Sequence, residues 1–170
     1  MYLSLALLLH DTARIAVNEF TVHVSTVIGL VGLGALYLWR ARHAPADVAG
    51  RSPTTGQRAM FFTALAIIFL SLNGWLHDLS DSFLFSAHMV QHLVLTLVAP
   101  PLLVMGTPGW MLRPALRWPG VSPVARFVTK APVAFVIFNL IIIVWHLPPM
   151  YEFALEHHPI HIVQHLCFMV

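Results

Sequence analysis

The stretch SAHMVQHLVLTLVAPPLLVM, residues 86–105, decides the fold. It runs for 20 positions without an Asp, Glu, Lys or Arg. A helix of that length rises about 30 Å, the thickness of a bilayer's hydrocarbon core. Its only ionisable groups, His88 and His92, fall in the first two turns. The stretch therefore reads as a transmembrane helix entered through a pair of histidines. Pro100-Pro101 removes two backbone donors near its far end, which predicts a kink or an early stop.

Working outward, three more apolar segments have the length of a span: residues 20–39, 59–76 and 131–146. A further helix begins near Pro159, a favoured first-turn residue, and residues 159–170 are too few to cross. The expectation is an all-α, polytopic transmembrane helical bundle: one transmembrane domain over residues 1–170, with four full spans and a truncated fifth helix. Composition agrees. Hydrophobic residues make up 58% of the chain and charged residues 9%, against about a quarter charged in soluble domains. The net charge of +2 forms no basic patch on a soluble surface, so no nucleic-acid partner is expected. The expected partner is the lipid bilayer. The single cysteine, Cys167, excludes an internal disulfide. Met1–Leu9 reads as an interfacial segment or the remnant of a longer N-terminus rather than a signal peptide, because it has no basic flank.

The basic residues set the orientation. Arg40, Arg42, Arg51 and Arg58 lie between the first two spans, and Arg113, Arg117, Arg126 and Lys130 lie between the third and fourth. The loops after spans two and four carry Asp78, Asp81, Glu152 and Glu156 instead. Basic loops stay cytoplasmic. On that topology His77, His88, His92, His146, His157, His158, His161 and His165 all fall at the non-cytoplasmic face, with His10 and His23 outside or near it. Only His43, of eleven histidines, is cytoplasmic. Histidine is costly inside a bilayer and needs a partner there, so this sorting points to a site.

The chain also repeats itself. His88-Met-Val-Gln-His92-Leu93 returns as His161-Ile-Val-Gln-His165-Leu166, and each copy follows a span ending in Trp75-Leu-His77 or Trp145-His146. Both copies have the same orientation, so the repeat is parallel. Histidines at i and i+4 share a helix face, about 5–6 Å apart at Cβ. Two such pairs on facing helices would offer four imidazoles to one ion, and neutral imidazole suits copper, zinc, iron and nickel. His88, His92, His161 and His165 are the candidate metal ligands, and His77 and His146 could complete the set. Alternatively the same residues pack helices together without metal. Met89 stands where the zinc-protease motif His-Glu-x-x-His needs its glutamate, so peptide hydrolysis is unsupported. No catalytic residues are assigned, and an enzyme is not expected.

The remaining polar and soft residues have plainer readings. Gln91 and Gln164 could orient a ligand histidine or simply bond between helices. Cys167 sits on a different face from His165 and reads as packing. The methionines Met89, Met105, Met111, Met150 and Met169 lie at several depths and also read mostly as packing.

Three stretches together resemble a known family. They are Ser86–His92, then Ala99-Pro-Pro-Leu-Leu-Val-Met-Gly106-Thr-Pro108, then Trp145-His146-Leu-Pro148-Pro-Met-Tyr151 with His157, His161 and Gln164-His165-Leu166. The chain is similar here to the polytopic CtaG-type assembly proteins of caa-type cytochrome c oxidases, not to the single-span copper chaperone that shares the name. The likeness is strong from about Asn73 onward. It implies an assembly factor of a bacterial plasma membrane. Such a protein binds copper at the outer face and supports copper-site maturation in a terminal oxidase subunit. It carries over to His88, His92, His161 and His165, with His77 and His146 behind them. Two other readings stay open on the residues alone: a membrane cytochrome holding haem between two histidines, and a metal-free scaffold using histidine for packing.

The topology makes a direct prediction. A cysteine placed by Thr54→Cys should be shielded from an impermeant thiol reagent in intact cells. Labelling from outside would reverse the orientation and with it the outer-face argument.

Overall fold

The computed structural model describes residues 22–44, 52–82 and 85–168, and these are helical with no strand. The expectations for Met1–Leu9 and His10 lie outside the described residues. In chain order the helices are α1 (Val24–Arg42), α2 (Thr55–Leu72), α3 (Trp75–Ser82), α4 (Phe85–Leu93), a π-helical turn (Val94–Val98), α5 (Ala99–Gly106), α6 (Gly109–Leu116), α7 (Val121–Val128), α8 (Ala131–Trp145), α9 (Pro148–Glu156) and α10 (His158–Phe168).

Among the described residues, three helices are long and apolar enough to cross a bilayer: α1, α2 and the continuous run Ser86–Gly106. The pair α7–α8, bent by 83°, adds a fourth if taken as one span. α8 alone has 15 residues, a rise of about 22 Å. No residue of α8 is buried, and Phe135, Leu140 and Ile143 are exposed. In a bilayer such faces meet lipid.

Local chemistry shifts several boundaries from the sequence expectation. α2 starts four residues before 59 because Thr54 caps it. The Thr54 hydroxyl accepts from the Gln57 backbone N–H at 3.2 Å, and Gln57 Oε1 accepts from the Thr54 N–H at 3.0 Å, the reciprocal capping box. α2 also ends early. Asn73 leaves the helix with extended dihedrals, and Gly74 turns the chain with φ +72°, a conformation open to glycine. The expected span 59–76 therefore stops at Leu72, and His77 belongs to the separate helix α3. The expected loop between spans three and four contains α6 and α7, and the loop before the fifth helix contains α9.

Pro100-Pro101 neither kinks the third span sharply nor ends it. The π turn lets the Ala99 N–H bond Val94 O, five residues back. Both prolines then fall at the start of α5, where missing donors cost little. The wider turn also relieves the clash a proline ring makes with the carbonyl four residues before it.

α2 packs against the π turn and α5 through Ile68, Leu95 and Ala99, with Leu103 beside them. At the other end Tyr37 stacks on Phe61 with ring centroids 3.9 Å apart and donates its hydroxyl to Gly106 O at 3.0 Å. Small residues let membrane helices approach this closely. Burial is inverted relative to a soluble protein: Ser71, Asn73, His77, Ser80, His88, Gln91, His92, Gln164 and His165 are all buried, whereas many leucines and valines are exposed.

A Cβ on Gly106 would lie 2.5 Å from Phe61 N and 2.8 Å from its Cα. Gly106→Ala should therefore push α5 from α2 and cost about 1–3 kcal/mol, read as a lower thermal midpoint in detergent. Gly32→Ala is the control, since its Cβ meets nothing within 4 Å. It should leave the midpoint unchanged or raise it slightly.

Candidate metal centre

His88 and His92 stand one turn apart on α4, so their rings leave the same face. Their Nε2 atoms are 2.7 Å apart and the rings are perpendicular, with centroids 4.2 Å apart. Bound to one ion at a metal–nitrogen distance of about 2.0 Å, such a pair would subtend roughly 85°. His146 reaches them from the C-terminal cap of α8. The ligand atoms of His88, His92 and His146 all lie within 4.8 Å of one another, the one such group among the described residues.

The protonation of His146 follows from its neighbour. Its Nδ1 lies 2.8 Å from Ile142 O, one turn back on α8. A carbonyl only accepts, so Nδ1 carries the proton and Nε2 keeps its lone pair. That Nε2 is buried and takes no hydrogen bond. Leaving such an atom unsatisfied costs about 1–3 kcal/mol. Metal-ligating imidazoles are usually held this way, with the other ring nitrogen donating to a fixed acceptor.

Aromatic rings wall the cluster. Phe168, itself buried, lies with its ring centroid 4.4 Å from that of His92 and 6.0 Å from that of His146. Tyr151 on α9 stands 5.7 Å from His88. These rings give the cluster an apolar wall.

The other candidate residues extend the cluster. His165 on α10 is buried, with ring centroids 5.6 Å from His92 and 6.2 Å from His77. His77 on α3 meets His23, at the start of α1, edge-on at 4.7 Å. His23, His77 and His165 share the lining of a cavity of about 480 Å³ whose other walls include Leu30, Leu33 and Leu72. His161 lies on α10, but its side chain is outside the described residues. Thus His146 is the residue whose ligand atom groups with those of the first pair, and the His165 ring lies as close to His92, at 5.6 Å, as the His146 ring does at 5.8 Å.

Sequence reasoning did not assign His23, Tyr151 or Phe168 to the site. His23 carries a signal, since it opens the first span at the histidine-rich face. Phe168 carries none, because aromatic residues are common in membrane helices.

No curated protein and no solved structure matches the chain. A family profile described as cytochrome c oxidase caa3 assembly factor (Caa3_CtaG) matches residues 35–170. The match takes in His77, His88, His92, His146, His161 and His165 and leaves out His23. Covering most of a helical, multi-pass membrane chain, it shows that the protein belongs to the caa3-type cytochrome c oxidase assembly factor family.

Proposed function

We propose that the chain binds copper through His88, His92 and His146 at the non-cytoplasmic face of a bacterial plasma membrane. It thereby supports copper-site maturation of a terminal oxidase subunit. One observation carries this reading: three imidazoles converge within 4.8 Å, and one of them keeps a buried lone pair. His165 and His161 would join as further ligands during exchange. Imidazole also suits zinc, iron and nickel. Copper is favoured because the family serves an oxidase whose active site contains it. The basic loops support the outer location, which suits a metal arriving from outside the cytoplasm.

The haem alternative gains nothing from the first pair. Axial ligands on opposite sides of one iron stand about 4 Å apart, nitrogen to nitrogen. His88 and His92, one turn apart on one helix and 2.7 Å apart at Nε2, cannot lie on opposite sides of a porphyrin. The family assignment supports an assembly role rather than catalysis.

Two outcomes test the proposal. In the full-length protein, His88→Ala with His92→Ala should abolish copper binding and lower the copper content of the mature oxidase, while membrane insertion is retained. Normal copper in both would mean that the histidines serve packing. Second, protonated imidazole cannot ligate, so copper affinity should fall and bound copper should be released as the pH is lowered. Retention of the full complement at about pH 4 would point to non-histidine ligands.

A further inference from the structure

We infer that Gln91 locks His77 in the tautomer that cannot ligate a metal, so that His77 is a hydrogen-bond donor beside the centre rather than part of it. Gln91 is completely buried. Its Nε2 lies 2.9 Å from Ser71 O and 3.2 Å from His77 Nδ1. Its Oε1 accepts from the Ser80 hydroxyl, which also lies 2.8 Å from His77 O.

The backbone oxygen decides the amide's orientation. Ser71 is in the last turn of α2, where carbonyls have no helical donor. The neighbouring Phe69 O takes the Asn73 side-chain amide at 2.9 Å. Ser71 O takes that of Gln91. A reversed Gln91 amide would set two oxygens 2.9 Å apart with no proton between them and leave Ser71 O without its donor, a cost of about 1–3 kcal/mol. The NH₂ group therefore faces Ser71 O, and its second proton points to His77 Nδ1.

A neutral imidazole that accepts at Nδ1 carries its proton on Nε2. His77 then has no lone pair for an ion: Gln91 occupies one and a proton covers the other. This is the reverse of His146, whose Nδ1 donates to Ile142 O. The same ring type is thus sorted into ligand and donor by what faces Nδ1. The sorting matters because His77 and His165 are 6.2 Å apart, centroid to centroid. Two imidazoles sharing one ion can stand up to roughly 6.5 Å apart, given metal–nitrogen bonds of about 2 Å. Without the lock, an ion could settle between His77 and His165, off the triad. Gln91 is therefore a positioning residue that acts through His77 and restricts the cluster to one metal position. That last consequence rests on the metal-centre reading above, whereas the proton's place on His77 does not.

Nitrogen-15 NMR of the full-length protein in detergent, with labelled histidine, tests both parts. His77 should show an unprotonated, imine-type Nδ1 and a protonated Nε2, and His146 the opposite. On adding silver(I), a diamagnetic stand-in for copper(I), Nε2 of His88, His92 and His146 should shift while His77 stays unmoved. Gln91→Leu should raise bound silver from one to two per chain, with His77 now shifting. A protonated Nδ1 on His77 in the wild type, or a His77 shift on the first equivalent of silver, would overturn the inference. If the expected His77 tautomer is present but no histidine responds to silver, the metal-centre reading fails and the tautomer assignment stands.

Discussion

A bilayer gives a polar side chain no water to bond, so each one within its depth must find a partner inside the protein. That constraint organises this fold. Leucine, valine and phenylalanine can face lipid at no cost, and on α1 and α8 many of them are exposed. The imidazoles and amides cannot, and they are drawn together where α3, α4, α8 and α10 meet. His88, Gln91, Gln164 and Asn73 rank among the largest fully buried side chains. The histidine cluster is thus also the part of the interior that the membrane most strongly compels to form.

The backbone supplies devices that bring these residues to one place. Asn73 and Gly74 end α2 and turn the chain into α3, which carries His77 and Ser80. Asn73 also accepts the His23 backbone N–H at 2.7 Å, tying the start of α1 to the end of α2. The π turn keeps the third span continuous through Pro100-Pro101, so that α4 remains aligned with α5 and presents both histidines at one end. At the opposite end, contact between Gly106 and Phe61 and the Tyr37 hydrogen bond fix how closely α2 and α5 approach. The cap of α8 ends in His146, whose ring bonds back to its own helix and is held toward the pair on α4.

Much of this was legible in the sequence. The charge-free run of residues 86–105, the spacing of His88 and His92 and the sorting of basic residues identify a helical membrane protein with a histidine-rich end. Motif likeness pointed to the family that the profile match then showed. What sequence could not give was set by local hydrogen bonding or by three-dimensional convergence. Thr54 and Gln57 moved the start of α2 through a cap that hydropathy does not register. Pro100-Pro101 suggested a break, but one extra residue in a helical turn absorbed it. The repeat made His161 and His165 natural partners for His88 and His92. Among the described residues, the ligand atom that groups with that pair is the one on His146, at the end of α8. The proton on each imidazole depends on whether a carbonyl or an amide N–H faces Nδ1, which no spacing rule encodes.

The proposed centre is one ion held jointly by His88, His92 and His146. X-ray absorption at the copper edge of the loaded full-length protein tests it most directly, because imidazole ligands can be counted from their ring scattering. Three imidazoles should be found in the wild type and two after His146→Ala, with weaker retention of copper. An unchanged count after that substitution, or a wild-type centre without imidazole scattering, would contradict the account.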